Sequence, residues 1–63
     1  MDAGTIKEMR QTLKMTLQEF ANELHVGIAT VWRWEQGRTK PTKHFRREIQ
    51  TLFDRKLKKS PVK

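Results

Sequence analysis

Sixty-three residues, a formal charge of +7 and no cysteine bound what this chain can be. They leave room for one small domain, in which folding hides only about 60% of the unfolded surface. They exclude a disulfide framework, a thiolate metal site and, for want of any apolar run near the roughly 18 residues required, a membrane-spanning helix or a signal-peptide core.

The charge is divided. Residues 1–37 carry five acids and four bases, a net −1, whereas residues 38–63 carry ten bases and two acids, a net +8. All of the excess lies in the second part, as expected of an electrostatic footprint on a polyanion. A solvated basic tail is the plainer alternative.

Thr5-Ile6-Lys7-Glu8 has the form of a capping box, so a first helix is expected to begin near Thr5, with residues 1–4 frayed or forming a loose cap. Ile6, Met9 and Leu13 recur at i, i+3 and i+7 and mark its buried face. Thr16-Leu17-Gln18-Glu19 is a second capping box, with Met15 and Phe20 at the hydrophobic-staple positions. Leu17, Phe20, Ala21 and Leu24 share one apolar stripe, which predicts a helix over about residues 16–24. His25-Val26-Gly27 interrupts it.

A third helix is expected over about residues 28–36, with Gly27 at its N-cap and Gly37 closing it in a left-handed conformation. At 100° per residue, Gly27, Val31 and Trp34 point one way, flanked by Thr30. Ile28, Ala29, Trp32, Arg33 and Gln36 point the other. Thr42, after Pro41, is a fitting N-cap for a fourth helix from about Lys43 to Lys58, whose stripe is Phe45, Ile49, Leu52 and Phe53. Residues 59–63 continue as a short basic tail. The opening Met1 and the absence of a second domain favour a complete small protein.

The run Phe20-Ala21-x-x-Leu24-x-Val26-x-x-x-Thr30-Val31-x-Arg33-Trp34-Glu35-x-Gly37, followed by Pro41, resembles the helix-turn-helix of the phage repressor and Cro-like (XRE) family. The resemblance extends from residue 5 to about residue 53. It implies an all-α domain of four helices, or five where the family's last helix is present, over residues 1–58, with 59–63 as a flexible basic tail. It also implies a partner, double-stranded DNA, with the third helix in the major groove.

On that reading Ile28, Ala29, Trp32 and Arg33 face the bases. Arg33 can bond O6 and N7 of guanine together, or else hold a phosphate. Ile28 and Ala29 offer only apolar surface, suited to thymine methyl groups. Trp32 replaces a small polar residue of the family, and three roles stay open for it: packing on thymine methyls or sugars, folding over helix 4, or contacting a protein. Thr16, Gln18, Gln36, Arg38, Lys40, Lys43, Arg46 and Arg47 are the expected phosphate contacts, the first two through a helix N-terminus.

The resemblance further implies an ion pair between Arg10 and Glu35; the alternative is two ordinary surface charges. Lys14 and His25 stand where the family commonly has glycine. From Arg55 onward the chain lacks the apolar residues of the fifth helix that commonly supports dimerisation in the family, which argues against a dimer in solution and leaves a homodimer on a palindromic operator open.

The implied function is sequence-specific DNA binding by a cytoplasmic transcriptional regulator of repressor type, encoded by a bacterium, a phage or a plasmid. The alternative is an antitoxin or accessory member of the family whose main task is binding a protein partner. No cofactor is expected. His25 and His44 are the two histidines and form no metal-ligand cluster in sequence. No catalytic constellation or phosphate-binding glycine loop is present, so no enzyme is expected. A membrane-surface peptide is a weaker fit, because the apolar face of helix 4 is needed for the core.

Overall fold

The structure is a computed structural model and describes residues 2–57. Four helices follow one another: α1 Ala3–Thr12, α2 Leu17–Leu24, α3 Ile28–Gln36 and α4 Lys43–Leu57. Lys58 and the basic tail lie outside the described residues. No described helix is long and apolar enough to cross a membrane.

The first helix begins two residues earlier than its sequence suggests. Asp2, not Thr5, is the N-cap: its carboxylate accepts the Thr5 N–H at 2.9 Å, and its carbonyl accepts the Ile6 N–H at 3.2 Å. A shorter carboxylate at the cap outcompetes the Thr5-to-Glu8 pattern, and Ala3 and Gly4 become the first turn rather than a frayed end. The Thr5 N–H bond holds the Asp2 carboxyl below its ordinary pKa. At α2 the capping box closes in both directions. Thr16 Oγ1 accepts the Glu19 N–H at 3.1 Å, and Glu19 Oε1 accepts the Thr16 N–H at 2.9 Å.

The first three helices end in the same way. Lys14, His25 and Gly37 adopt φ of 57°, 59° and 77°. The next N–H in each case reaches back five residues, Met15 to Arg10 O, Val26 to Ala21 O and Arg38 to Arg33 O. These are Schellman closures, in which a left-handed residue lets the chain turn back and satisfy the last carbonyls. Glycine meets that conformation without strain, while Lys14 and His25 meet it at a cost of about 1–2 kcal/mol. Each of Lys14→Gly and His25→Gly is therefore expected to stabilise the domain by about 0.5–1 kcal/mol, after the entropy that glycine adds to the unfolded chain. A thermal melt should show a rise of about 2–8 °C for each, and a fall would refute the argument.

The core consists of Ile6 and Met9 from α1, Phe20, Ala21 and Leu24 from α2, Val31 and Trp34 from α3, and Ile49 and Leu52 from α4. Leu13, Met15, Leu17, Val26, Phe45 and Phe53 pack at its margins, half-buried. Helix α3 lies against α1 and α2, and α4 packs on the same two helices. Trp34 joins α3 to α4 through Phe45, with ring centroids 5.6 Å apart. Thr42 Oγ1 accepts the Phe45 N–H at 3.3 Å and starts α4 as its position suggests.

Candidate nucleic-acid interface

Helix α3 is anchored on one side and bare on the other. Val31 is wholly buried and Trp34 is 4% exposed, while Ile28 and Trp32 are each 43% exposed. Ala29, Arg33 and Gln36 are exposed beside them. The helical period alone gives this division, since α1 and α2 occupy the Val31–Trp34 side.

A bidentate ion pair locks the far end of α3. Arg10 Nε donates to Glu35 Oε2 at 2.7 Å and Nη2 donates to Oε1 at 3.1 Å, while Nη1 donates to the Met15 carbonyl at 2.9 Å. The Arg10 and Glu35 side chains are 14% and 4% exposed, so the pair is nearly dry. The hydrogen bond to Glu35 pushes the Arg10 pKa above its ordinary value. One guanidinium thus ties α1, the segment leading into α2 and the last turn of α3 together. Its planar fork suits that task as an ammonium would not.

The N-terminus of α3 is left open. Gly27 caps it with ordinary extended backbone, makes no side-chain cap, and has free space where a Cβ would stand. The glycine is therefore not dictated by conformation. It leaves amide N–H groups of the first turn available to solvent or to an anion.

The described basic residues from Arg33 onward fall into two kinds. Arg55 and Lys56 face Glu23 at 3.5 and 4.0 Å, a surface network on α2 and α4. Among the described residues, Arg33, Arg38, Lys40, Lys43, Arg46 and Arg47 are exposed and form no ion pair. Lys43, Arg46 and Arg47 gather with Gln50 and Thr51 around an open cleft of about 670 Å³, whose other wall is Thr5 at the start of α1. No α3 residue lines that cleft. The bases Lys43, Arg46 and Arg47 thus gather on α4, while Arg38 and Lys40 lie in the connection between the two helices. Thr16 and Gln18 are exposed at the start of α2, and Gln18 Nε2 donates to Asn22 Oδ1 at 2.9 Å.

Trp32 has a neighbour that its helical position does not reveal. The Arg38 guanidinium carbon stands 5.6 Å from the centre of the Trp32 ring, a cation–π contact. The signal lies in Gly37: a Schellman closure brings the second residue after the helix over the side chain one turn back, usually as an apolar contact. Here the two residues are arginine and tryptophan.

The sequence model of the helix-turn-helix family matches residues 6–59. The chain belongs to that family. It is a DNA-binding helix-turn-helix protein of the phage repressor and Cro-like (XRE) type, with α2 and α3 as the two helices of the motif. A type II methyltransferase of Shigella sonnei, M.SsoII, is 54% identical to it over 43 residues. That stretch covers 64% of this chain and 11% of the methyltransferase, so the chain corresponds to a small part of that protein. No solved structure matches the chain. Among the described residues no group of His, Cys, Asp and Glu is placed to hold a metal ion.

Proposed function

We propose that this helix-turn-helix protein is a sequence-specific transcriptional regulator of repressor type that acts in the cytoplasm by occupying operator DNA, with α3 in the major groove. The observation that carries the reading is the outward face of α3. Ile28, Ala29, Trp32 and Arg33 are exposed on a helix whose opposite side is buried and whose end is pinned by Arg10 and Glu35. A helix held this firmly can present side chains to base edges with little entropy left to lose.

In this mechanism no bond is made or broken. Arg33 supplies the directional hydrogen bonds, Ile28 and Ala29 the apolar contacts. Arg38, Lys40, Lys43, Arg46 and Arg47, helped by Thr16, Gln18 and Gln36, hold phosphates and set the register without reading sequence.

Selection from a randomised duplex pool at near-physiological salt tests the reading. The expected result is one enriched motif. A palindrome would report two copies on one operator, and its half-site spacing would give their geometry. Binding without enrichment would overturn sequence specificity. Titration of the selected duplex over a range of salt should give a slope of log K against log salt of roughly −4 to −5, from about five neutralised phosphates. A slope near zero would remove the basic residues from the interface.

A second reading is favoured by the similarity to a segment of M.SsoII, a far longer protein. In it, this fold serves as the DNA-binding accessory of a larger protein or of a protein partner. Enrichment only in the presence of that partner would support it over the first.

A further inference from the structure

The outward face of α3 is more apolar than polar, and its largest member is held in place. Ile28 and Trp32 stand one helical turn apart, each 43% exposed, with Ala29 exposed between them. Side chains at this spacing are about 5–6 Å apart at Cβ, and base pairs succeed one another at 3.4 Å along the duplex, so the two side chains span about two adjacent steps. Of the groups on the floor of the major groove, the C5-methyl of thymine is the apolar one. The methyl of 5-methylcytosine stands at the same place on its ring.

We infer that Ile28 and Trp32 together read pyrimidine C5-methyl groups in the major groove, and that Arg38 is the positioning residue for the Trp32 indole. The inference rests on α3 being the recognition helix. It adds which chemical feature of the DNA that helix prefers.

The occupant follows from charge. Arg33 and Arg38, both without an ion-pair partner among the described residues, flank the apolar pair. The chain beyond residue 37 carries +8. An apolar patch so framed fits a methyl-bearing polyanion. The position of the indole follows from the backbone. Gly37 at φ 77° and the Arg38 N–H to Arg33 carbonyl bond of 2.9 Å return the chain over Trp32. The guanidinium then lies against the ring at 5.6 Å and restricts its rotamers. An exposed indole without such a brace would lose more side-chain entropy on binding.

The test is a competition between two randomised duplex pools, one built with thymine and one with uracil, for limiting protein. Each methyl group fully buried favours its pool by about fourfold, so the tightest-bound thymine duplexes should be preferred by about 15-fold. Replacing cytosine with 5-methylcytosine beneath Ile28 or Trp32 should raise affinity by a similar fourfold factor. Trp32→Ala, at an exposed position, should keep its melting temperature and bring the thymine-to-uracil ratio towards one. Arg38→Lys keeps the charge and loses the guanidinium that stands over the ring. It should lower the thymine-to-uracil ratio, which a plain phosphate contact would leave alone, while the salt slope stays unchanged because the charge is kept.

A ratio of one in the parent protein, or a ratio that Trp32→Ala leaves alone, overturns the inference while DNA binding stands. An unchanged ratio in Arg38→Lys removes Arg38 from the role. Retention of neither pool would instead defeat the proposed function itself.

Discussion

Glu35→Ala is expected to remove most of the stability of the domain. The substitution strands the Arg10 guanidinium, 14% exposed, with two of its three hydrogen bonds gone. Breaking a buried ion pair from one side costs about 3–5 kcal/mol, because the remaining charge keeps its desolvation penalty without compensation. In a domain of this size 1 kcal/mol moves the melting temperature by about 4–8 °C, so a fall of at least about 12 °C should be seen by circular dichroism. Small domains have only about 5 kcal/mol or a little more to lose.

Double replacement separates the pair's net worth from the cost of breaking it. Arg10→Met with Glu35→Leu should recover most of the loss, since two apolar side chains leave no stranded charge. The Met15 carbonyl still loses its donor, so recovery should stop short of the parent by about 1 kcal/mol. A melting temperature that Glu35→Ala leaves within about 2 °C of the parent would show that the pair is energetically idle.

The second large effect is on recognition. Arg33→Ala should cost about 1–3 kcal/mol on the selected duplex, roughly 5- to 150-fold in affinity, and relax the selected motif at one position. Arg33 is exposed and pairs with no acid among the described residues, so the melting temperature should hold. Arg33→Lys retains the charge but lacks the rigid fork, and should behave like alanine on the selected site while keeping nonspecific affinity. The contrary outcome is equally readable. A uniform loss over all sequences, with the salt slope reduced by about one, would make Arg33 a phosphate contact.

These two residues show how the scaffold and the interface depend on each other. Arg33 and Glu35 sit in the same last turn of α3, one facing solvent and one tied to Arg10. The ion pair therefore orders the backbone that carries the reading side chain, and a less stable end of α3 would blur both affinity and specificity.

Much of this molecule could be read from the chain by itself, because much of it is decided within five residues. The capping box at Thr16 and Glu19, the bounds of α3, the cap at Thr42 and the left-handed closure at Gly37 are all bonds between near neighbours, whereas Lys14 and His25 are marked only by the glycine that the family commonly has in their places. Periodicity likewise separated Val31 and Trp34 from Ile28, Trp32 and Arg33 correctly, since a helix has only two sides to offer one core. The Arg10–Glu35 pair spans 25 residues, and only family resemblance made it legible.

Tertiary structure decided the rest. Phe45 and Phe53 share the period of Ile49 and Leu52, yet they remain half-buried while the middle pair is nearly inaccessible. Spacing says which residues share a face; how deeply each is covered depends on where neighbouring helices end. The start of α1 depended on Asp2 reaching the Thr5 N–H, a contest between two local caps that sequence leaves unresolved. The cleft between Thr5 and the bases of α4 joins residues some forty positions apart, which no local pattern can bring together. The brace on Trp32 combines the two levels. Gly37 marks in the sequence that the chain must turn back, and the folded backbone sets Arg38 against the exposed indole.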